Sequence, residues 1–209
     1  MKHVLGFLCF VLAFPGPWAA AGDPQVEQQL NKARSLLYDS NFQGALEKFD
    51  AILTSHPQNL EARLGKMDAL GGLRKLDEVQ SYSKSKADSG ADGFIISAHA
   101  KIWNRDMAGA KADLENAVAA AGDAYLAHYL LGYLKRRDRE YDSAITSLNK
   151  ALEANAAYPE TYYLLGEIYR VKGDTNKVIE YWNGYLSRIP QSGERYDYVN
   201  AYLRRIAGK

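Results

Sequence analysis

The chain has 209 residues, 47% of them hydrophobic, with 26 Lys+Arg against 25 Asp+Glu. That apolar content excludes a disordered chain, and the length suits one ordinary domain. The charge balance leaves no positive excess for a phosphate backbone or an anionic lipid surface, so neither nucleic acid nor electrostatic membrane attachment is expected.

Met1, Lys2 and His3 open the chain, an apolar run from Val4 to Phe14 follows, and Pro15, Gly16, Pro17 and Ala19-Ala20-Ala21 come after it. A short basic start, a brief apolar core and a small-residue exit describe a cleavable secretory signal over residues 1–21, cut after Ala21. The apolar run is too short for the roughly 20 residues of a spanning helix, so no membrane span is expected after cleavage. Cys9 is the only cysteine and lies inside that run, where it reads as an apolar filler. The remaining chain has no thiol and forms no disulfide, which is consistent with export to a periplasm or secretion. Loss of Lys2 also brings the basic residues to 25, equal to the acidic 25.

Residues 22–209 then read as one all-α domain of repeated helix–turn–helix pairs. The pattern is plainest over Tyr125–Ser192. Gly132 and Gly166 stand 34 residues apart there, as do Ala144 and Val178, Leu148 and Trp182, and Leu131 and Leu165. Apolar residues three and four apart fill two short runs around a polar turn, and a unit this small must stack on neighbours to bury its apolar face. Counting back gives repeats over about 26–59, 60–90, 91–124, 125–158 and 159–192.

In the first repeat Leu36 lies in the first helix, Ala45 and Phe49 in the second, and Pro57 closes the unit; Asp39, Ser40 and Asn41 supply helix-capping side chains. The second is the poorest. Met67, Leu70, Leu76 and Val79 keep the spacing, but Gly71-Gly72 costs helix propensity, and the polar QSYSKSKADSG predicts a truncated second helix. In the third, Phe94, Ala98, Met107, Ala110, Leu114 and Ala117 fall on the pattern, and Gly122 is expected to stop its second helix. Beyond Pro190, residues 193–207 form a capping helix whose apolar stripe is Tyr196, Val199, Leu203 and Ile206, with Arg195, Arg204 and Arg205 off that stripe.

Catalytic and metal motifs are missing from this pattern. His56, His99 and His128 are far apart and none has a second ligand at metal spacing; His128 takes an aromatic packing slot and His56 a surface position. Gly71-Gly72 has no strand or Lys-Ser/Thr beside it to make a phosphate loop, and no Gly-x-Ser-x-Gly elbow occurs. The chain is therefore read as a non-enzyme without cofactor or metal.

The two clearest repeats resemble the tetratricopeptide (TPR) family. Tyr162, Leu165, Gly166, Tyr169, Val178, Trp182, Tyr185 and Pro190 fall on its signature positions in the last repeat, with Val178 and Tyr185 replacing the usual small residues. His128, Leu131, Gly132, Lys135, Ala144, Leu148, Ala151 and Ala156 do so in the repeat before, with Lys135 and Ala156 off the pattern. The resemblance implies a right-handed helical solenoid of about five pairs plus the capping helix, an exported member of the family. The glycines would sit where the two helices of a hairpin approach closely, so Gly166→Leu is expected to cost roughly 1–3 kcal/mol by overpacking.

In that family the first helices line a concave groove. Carried over position by position, the groove holds Leu30, Arg34 and Tyr38 from the first repeat and Ile95, His99 and Trp103 from the third. The fourth adds Tyr129, Tyr133, Arg136 and Arg137, and the fifth Tyr163, Glu167 and Arg170. Ten of these, Tyr38, His99, Trp103, Tyr129, Tyr133, Arg136, Arg137, Tyr163, Glu167 and Arg170, form the expected partner-binding groove. Tyr, Trp and Arg dominate binding hot spots. Leu30, Arg34, Leu64 and Asp68 stand where family members that clamp a partner's carboxyl terminus carry Lys and Asn, so an extended or helical segment with apolar anchors fits better. The resemblance thus implies an extracytoplasmic scaffold or assembly factor that binds a segment of another protein. The alternatives are a self-associating homo-oligomeric solenoid and an accessory subunit of an envelope or secretory complex.

Overall fold

The computed structural model describes residues 23–85 and 90–208. The signal reading of residues 1–21, Cys9 included, lies outside the described residues. Among these, the elements are eleven α-helices and no strand. They run as antiparallel pairs: α1 Pro24–Tyr38 with α2 Phe42–Ser55, α3 Leu60–Gly72 with α4 Leu76–Ser85, and α5 Ala91–Trp103 with α6 Met107–Ala120. Then come α7 Tyr125–Arg137 with α8 Tyr141–Ala154, α9 Pro159–Lys172 with α10 Thr175–Leu186, and the single α11 Glu194–Ala207.

Local chemistry sets the helix starts. Asn41, Asn59, Asp106 and Asp174 each accept, through the side chain, a backbone N–H in the first turn of the helix that follows. The turns within pairs share one device, a residue in the left-handed region: Ser40 (φ 57°), Arg74 (60°), Arg105 (64°), Arg139 (64°) and Gly173 (78°). Only the last is glycine, so the other four turns carry a strain of roughly 1–2 kcal/mol each.

Packing follows the repeat. A side chain at Gly132 would overlap Leu148, and one at Gly166 would overlap the indole of Trp182, both on the second helix of the same pair. Phe49 reaches forward instead, covering Gly65 on the first helix of the next pair. Leu148 lies buried with Leu164, Leu165 and Ile168, which ties the fourth pair to the fifth. Val199 and Leu203 of α11 close the array on Val178, Trp182 and Tyr185.

Three details differ from expectation or extend it. The α6 helix does not stop on a left-handed Gly122: Ala121 turns the chain in an extended conformation, and the Gly122 carbonyl lies 2.9 Å from Nε2 of the buried His128. Gly71-Gly72 does not end α3 early. A side chain at Gly71 would strike the Trp103 ring, and one at Gly72 the Phe42 ring, so the doublet lets two aromatic rings lie on the last turn of the helix. Among the described residues of the weakest repeat, α4 buries only Val79, against three or four buried residues in each of the other second helices.

Candidate functional site: a cavity inside a closed helix array

The first helices of the pairs face one another, and the two ends of the array meet. Asn31 on α1 donates to the Arg188 carbonyl at 3.0 Å, and the Glu194 N–H at the start of α11 donates to Asp39 at 2.8 Å. Arg195 inserts between these ends. Its guanidinium carbon lies 3.2 Å from the Tyr38 ring centre and 4.2 Å from that of Tyr163, and it pairs with buried Glu160 at 2.7 Å. Arg195, placed off the apolar stripe by helical periodicity, is therefore a fastener and not a solvated charge; helix spacing cannot register a neighbour more than 150 residues away. Arg34 adds a second bridge, lying over the Tyr158 ring at 5.1 Å and pairing with Glu61 and Glu27.

The array curves around a half-open cavity of about 700 Å³, within the range of ligand-binding pockets. Aromatic rings make much of its wall: Tyr38, Trp103, Tyr129, Tyr133 and Tyr158. Tyr129 and Tyr158 meet edge to face at 5.2 Å, and Tyr125 meets Tyr158 in the same way at 5.5 Å. Burial pushes the Tyr38, Tyr129 and Tyr158 phenols up, and the Glu160 carboxylate adds to the effect. These hydroxyls are neutral hydrogen-bonding groups across the ordinary pH range.

One polar group is set into the wall. Oδ1 of Asp68 lies 2.8 Å from Nε2 of His99 and accepts from the indole N–H of Trp103 at 3.1 Å. Both partners come from α5 while Asp68 is on α3, so the carboxylate is held from the neighbouring repeat. Arg34, Asp68, His99, Tyr133 and Glu167 occupy one equivalent position in the five repeats, at spacings of 34, 31, 34 and 34; the first four of them line the cavity.

The ten residues expected in a single groove divide. Tyr38, His99, Trp103, Tyr129 and Tyr133 line the cavity. Arg136, Glu167 and Arg170 form a separate ion-pair cluster, with Glu167 accepting from both arginines at 3.3 Å. Arg137 is exposed and pairs with its neighbour Asp138, and Tyr163 stacks on Trp182 under Arg195. Leu30 and Ile95, also turned inward by the family pattern, are core residues. The division has a physical cause. Closure bends the first four repeats around one space, while the fifth turns Glu160 and Tyr163 to Arg195 and pairs Glu167 with Arg136 of the fourth.

The sequence reading placed Arg34 and Asp68 at inward repeat positions without counting them in the binding set, and it missed Tyr158 and Glu160 as lining groups. The first two were within reach, since they stand at the same repeat position as His99 and Tyr133; Tyr158 and Glu160 enter the cavity only because the ends meet. Among the described residues no three His, Cys, Asp or Glu side chains gather as a metal-ligand set, and no helix is long and apolar enough to cross a membrane.

Comparison with known proteins agrees with this architecture. Residues 140–173 match a family described as TPR repeat, and residues 30–78 one described as Tetratricopeptide repeat. A search of curated protein sequences returned no match. Among solved structures, TTC0263, a thermophilic TPR protein of Thermus thermophilus, superposes with a TM-score of 0.58 at 18% identity, covering 88% of this chain and all of that one. PilW, described as a widely conserved type IV pilus biogenesis factor, gives 0.56 at 17% identity over 89% of this chain and 87% of its own. The Cut9-Hcn1 hetero-tetramer of the APC/C gives 0.62 at 18% identity, over 77% of this chain but 31% of the larger one. Repeats of this kind generally serve as non-enzymatic protein-interaction scaffolds. With its repeated pairs, its packing glycines and these matches, the chain carries tetratricopeptide repeats at residues 30–78 and 140–173 within a helical solenoid of the TPR kind.

Proposed function

We propose that this protein is an extracytoplasmic interaction module that takes a segment of a partner protein into the half-open cavity between its first helices. The observation that carries the reading is the 700 Å³ space walled by Tyr38, Trp103, Tyr129 and Tyr133, since Tyr and Trp are the side chains on which protein-binding energy concentrates. A half-open cavity of this size admits a short anchor, such as one or two side chains or a chain end. The extracytoplasmic assignment rests on the basic, apolar and small-residue pattern of residues 1–21 and on the lack of cysteine beyond them. The scaffold works without catalysis, cofactor or metal, and its partner is a protein and not a nucleic acid.

The test is affinity capture from the native envelope or secreted fraction, with a Trp103→Ala/Tyr133→Ala variant alongside and circular dichroism to show that the variant is folded. A partner that appears with the wild type and is lost with the variant supports the cavity as the working surface. A partner that persists moves binding to another face. Recovery of the bait alone, with a multimeric mass by light scattering, makes self-association the function instead.

A further inference from the structure

Matching the charges that line the cavity leaves three groups over, the half-buried Asp68 and the exposed Arg74 and Arg105. Arg34 is paired with Glu61 and Glu27, and Glu160 with Arg195. Asp68 has no Lys or Arg partner of this kind among the described residues. Its two protein contacts, His99 and Trp103, share Oδ1, and Oδ2 has no hydrogen-bond partner among the described residues. Nδ1 of the buried His99 has no hydrogen-bond partner either. The two rings hold one oxygen of the carboxylate and leave the other free, and its side chain keeps 39% exposure although it lines the cavity.

From this we infer that the cavity selects a basic anchor, a lysine or arginine side chain of the partner segment, whose cation meets Asp68 while its alkyl stem lies against Trp103 and Tyr133. The inference rests on the cavity reading above and names its ligand chemistry. A hydrogen bond to a charged group is stronger than a neutral one, and more so away from bulk water. Rings beside the carboxylate add favourable contact with a cation over their faces. The fixed rim carries the opposite sign. Arg74 and Arg105 also line the cavity, but they stand exposed at left-handed turns, and no ion pair among the described residues holds them. Their charges are solvated and screened, so they oppose a cation at the wall only weakly, and they favour an acidic residue next to the anchor. A cation inside and an anion outside is the recognition pattern that results.

The experiment follows the indole N–H signal of Trp103 in the uniformly ¹⁵N-labelled protein, assigned with Trp103→Phe. The probes are capped tripeptides that differ only in the central residue: lysine, arginine, norleucine or glutamate. Lysine and arginine peptides are expected to shift that signal saturably at millimolar concentration, and the other two to bind about tenfold more weakly or not at all. Asp68→Asn keeps the size and the acceptor for His99 and Trp103, and should lower lysine-peptide affinity to that of norleucine. Norleucine or glutamate binding as well as lysine, no shift with either basic peptide, or an unaffected Asp68→Asn would each overturn the inference, and the first needs no variant to fold. If captured partner is retained by Asp68→Asn but lost by Trp103→Ala/Tyr133→Ala, the basic anchor is wrong while the cavity reading stands.

Discussion

The fifth and second repeats use the same helix–turn–helix plan for different ends. In the fifth, Gly166 faces Trp182, the Trp182 indole donates to the Tyr163 carbonyl at 3.2 Å, and Gly173 takes the left-handed turn without strain. Nearly every signature position does the packing work its residue type suggests. The second repeat departs at several of the same places. Its turn is carried by strained Arg74, its α4 buries one side chain, Gly71-Gly72 interrupts good helix formers, and Asp68 stands on its inward face. It also contributes Glu61, Leu64, Asp68, Gly71 and Arg74 to the cavity, whereas the fifth contributes only Glu160. Local rules are broken where the site is built, as expected when a fold gives up some consistency for function.

Four changes would break or sharpen that contrast. The largest effect belongs to the fifth repeat: Gly166→Leu places a side chain into the Trp182 ring, which is fully buried with nowhere to move, and should cost about 3 kcal/mol. Thermal unfolding should show a drop of several degrees, and an unchanged midpoint would mean that the glycine does not set the helix approach. Next comes Arg195→Ala, which strands buried Glu160. Because the Arg195 side chain is about a quarter exposed, the loss should fall below the usual 3–5 kcal/mol for a broken buried pair, at about 2 kcal/mol. Small-angle scattering should also show a larger radius of gyration as α1 and α11 separate; no change in radius would place the closure elsewhere than in this fastener.

The second repeat should respond differently. Gly71→Ala pushes against Trp103, which is only partly buried and can yield toward the cavity, so the stability cost should be about 1 kcal/mol. Its larger effect should be on the Trp103 indole signal and on ligand affinity, through the lost contact with Asp68. If instead Gly71→Ala destabilised as much as Gly166→Leu and left Trp103 unshifted, the doublet would be structural like the rest. The smallest effect concerns pH. Tyr38, Tyr129 and Tyr158 have phenols raised by burial, so their contribution is complete below the ordinary phenol value of about 10 and is lost as pH rises from there toward the higher folded values. Stability should therefore hold from pH 8 to about 9.5 and fall above about 10; tyrosinate absorbance rising well ahead of unfolding would show that these rings are accessible.

How much of this was legible differs between fold and site. The 34-residue spacing of Gly132 and Gly166, the apolar stripes and the caps at Asn41, Asn59, Asp106 and Asp174 determine the helix pairs and their stacking, because each depends on residues within one repeat or the next. Those interactions are local, and a periodic sequence repeats them. The sequence by itself therefore determined an all-α array and which helices face inward, including the position shared by Asp68, His99 and Tyr133. Only the tertiary structure decided that the inward face closes. That depends on the small rotation added at each repeat, which brings Tyr38 and Asp39 within reach of Arg195 and Glu194 across most of the chain's length. The same closure turned one expected groove into a cavity and a fastening cluster, because a helix pattern specifies which way a side chain points but not what it meets.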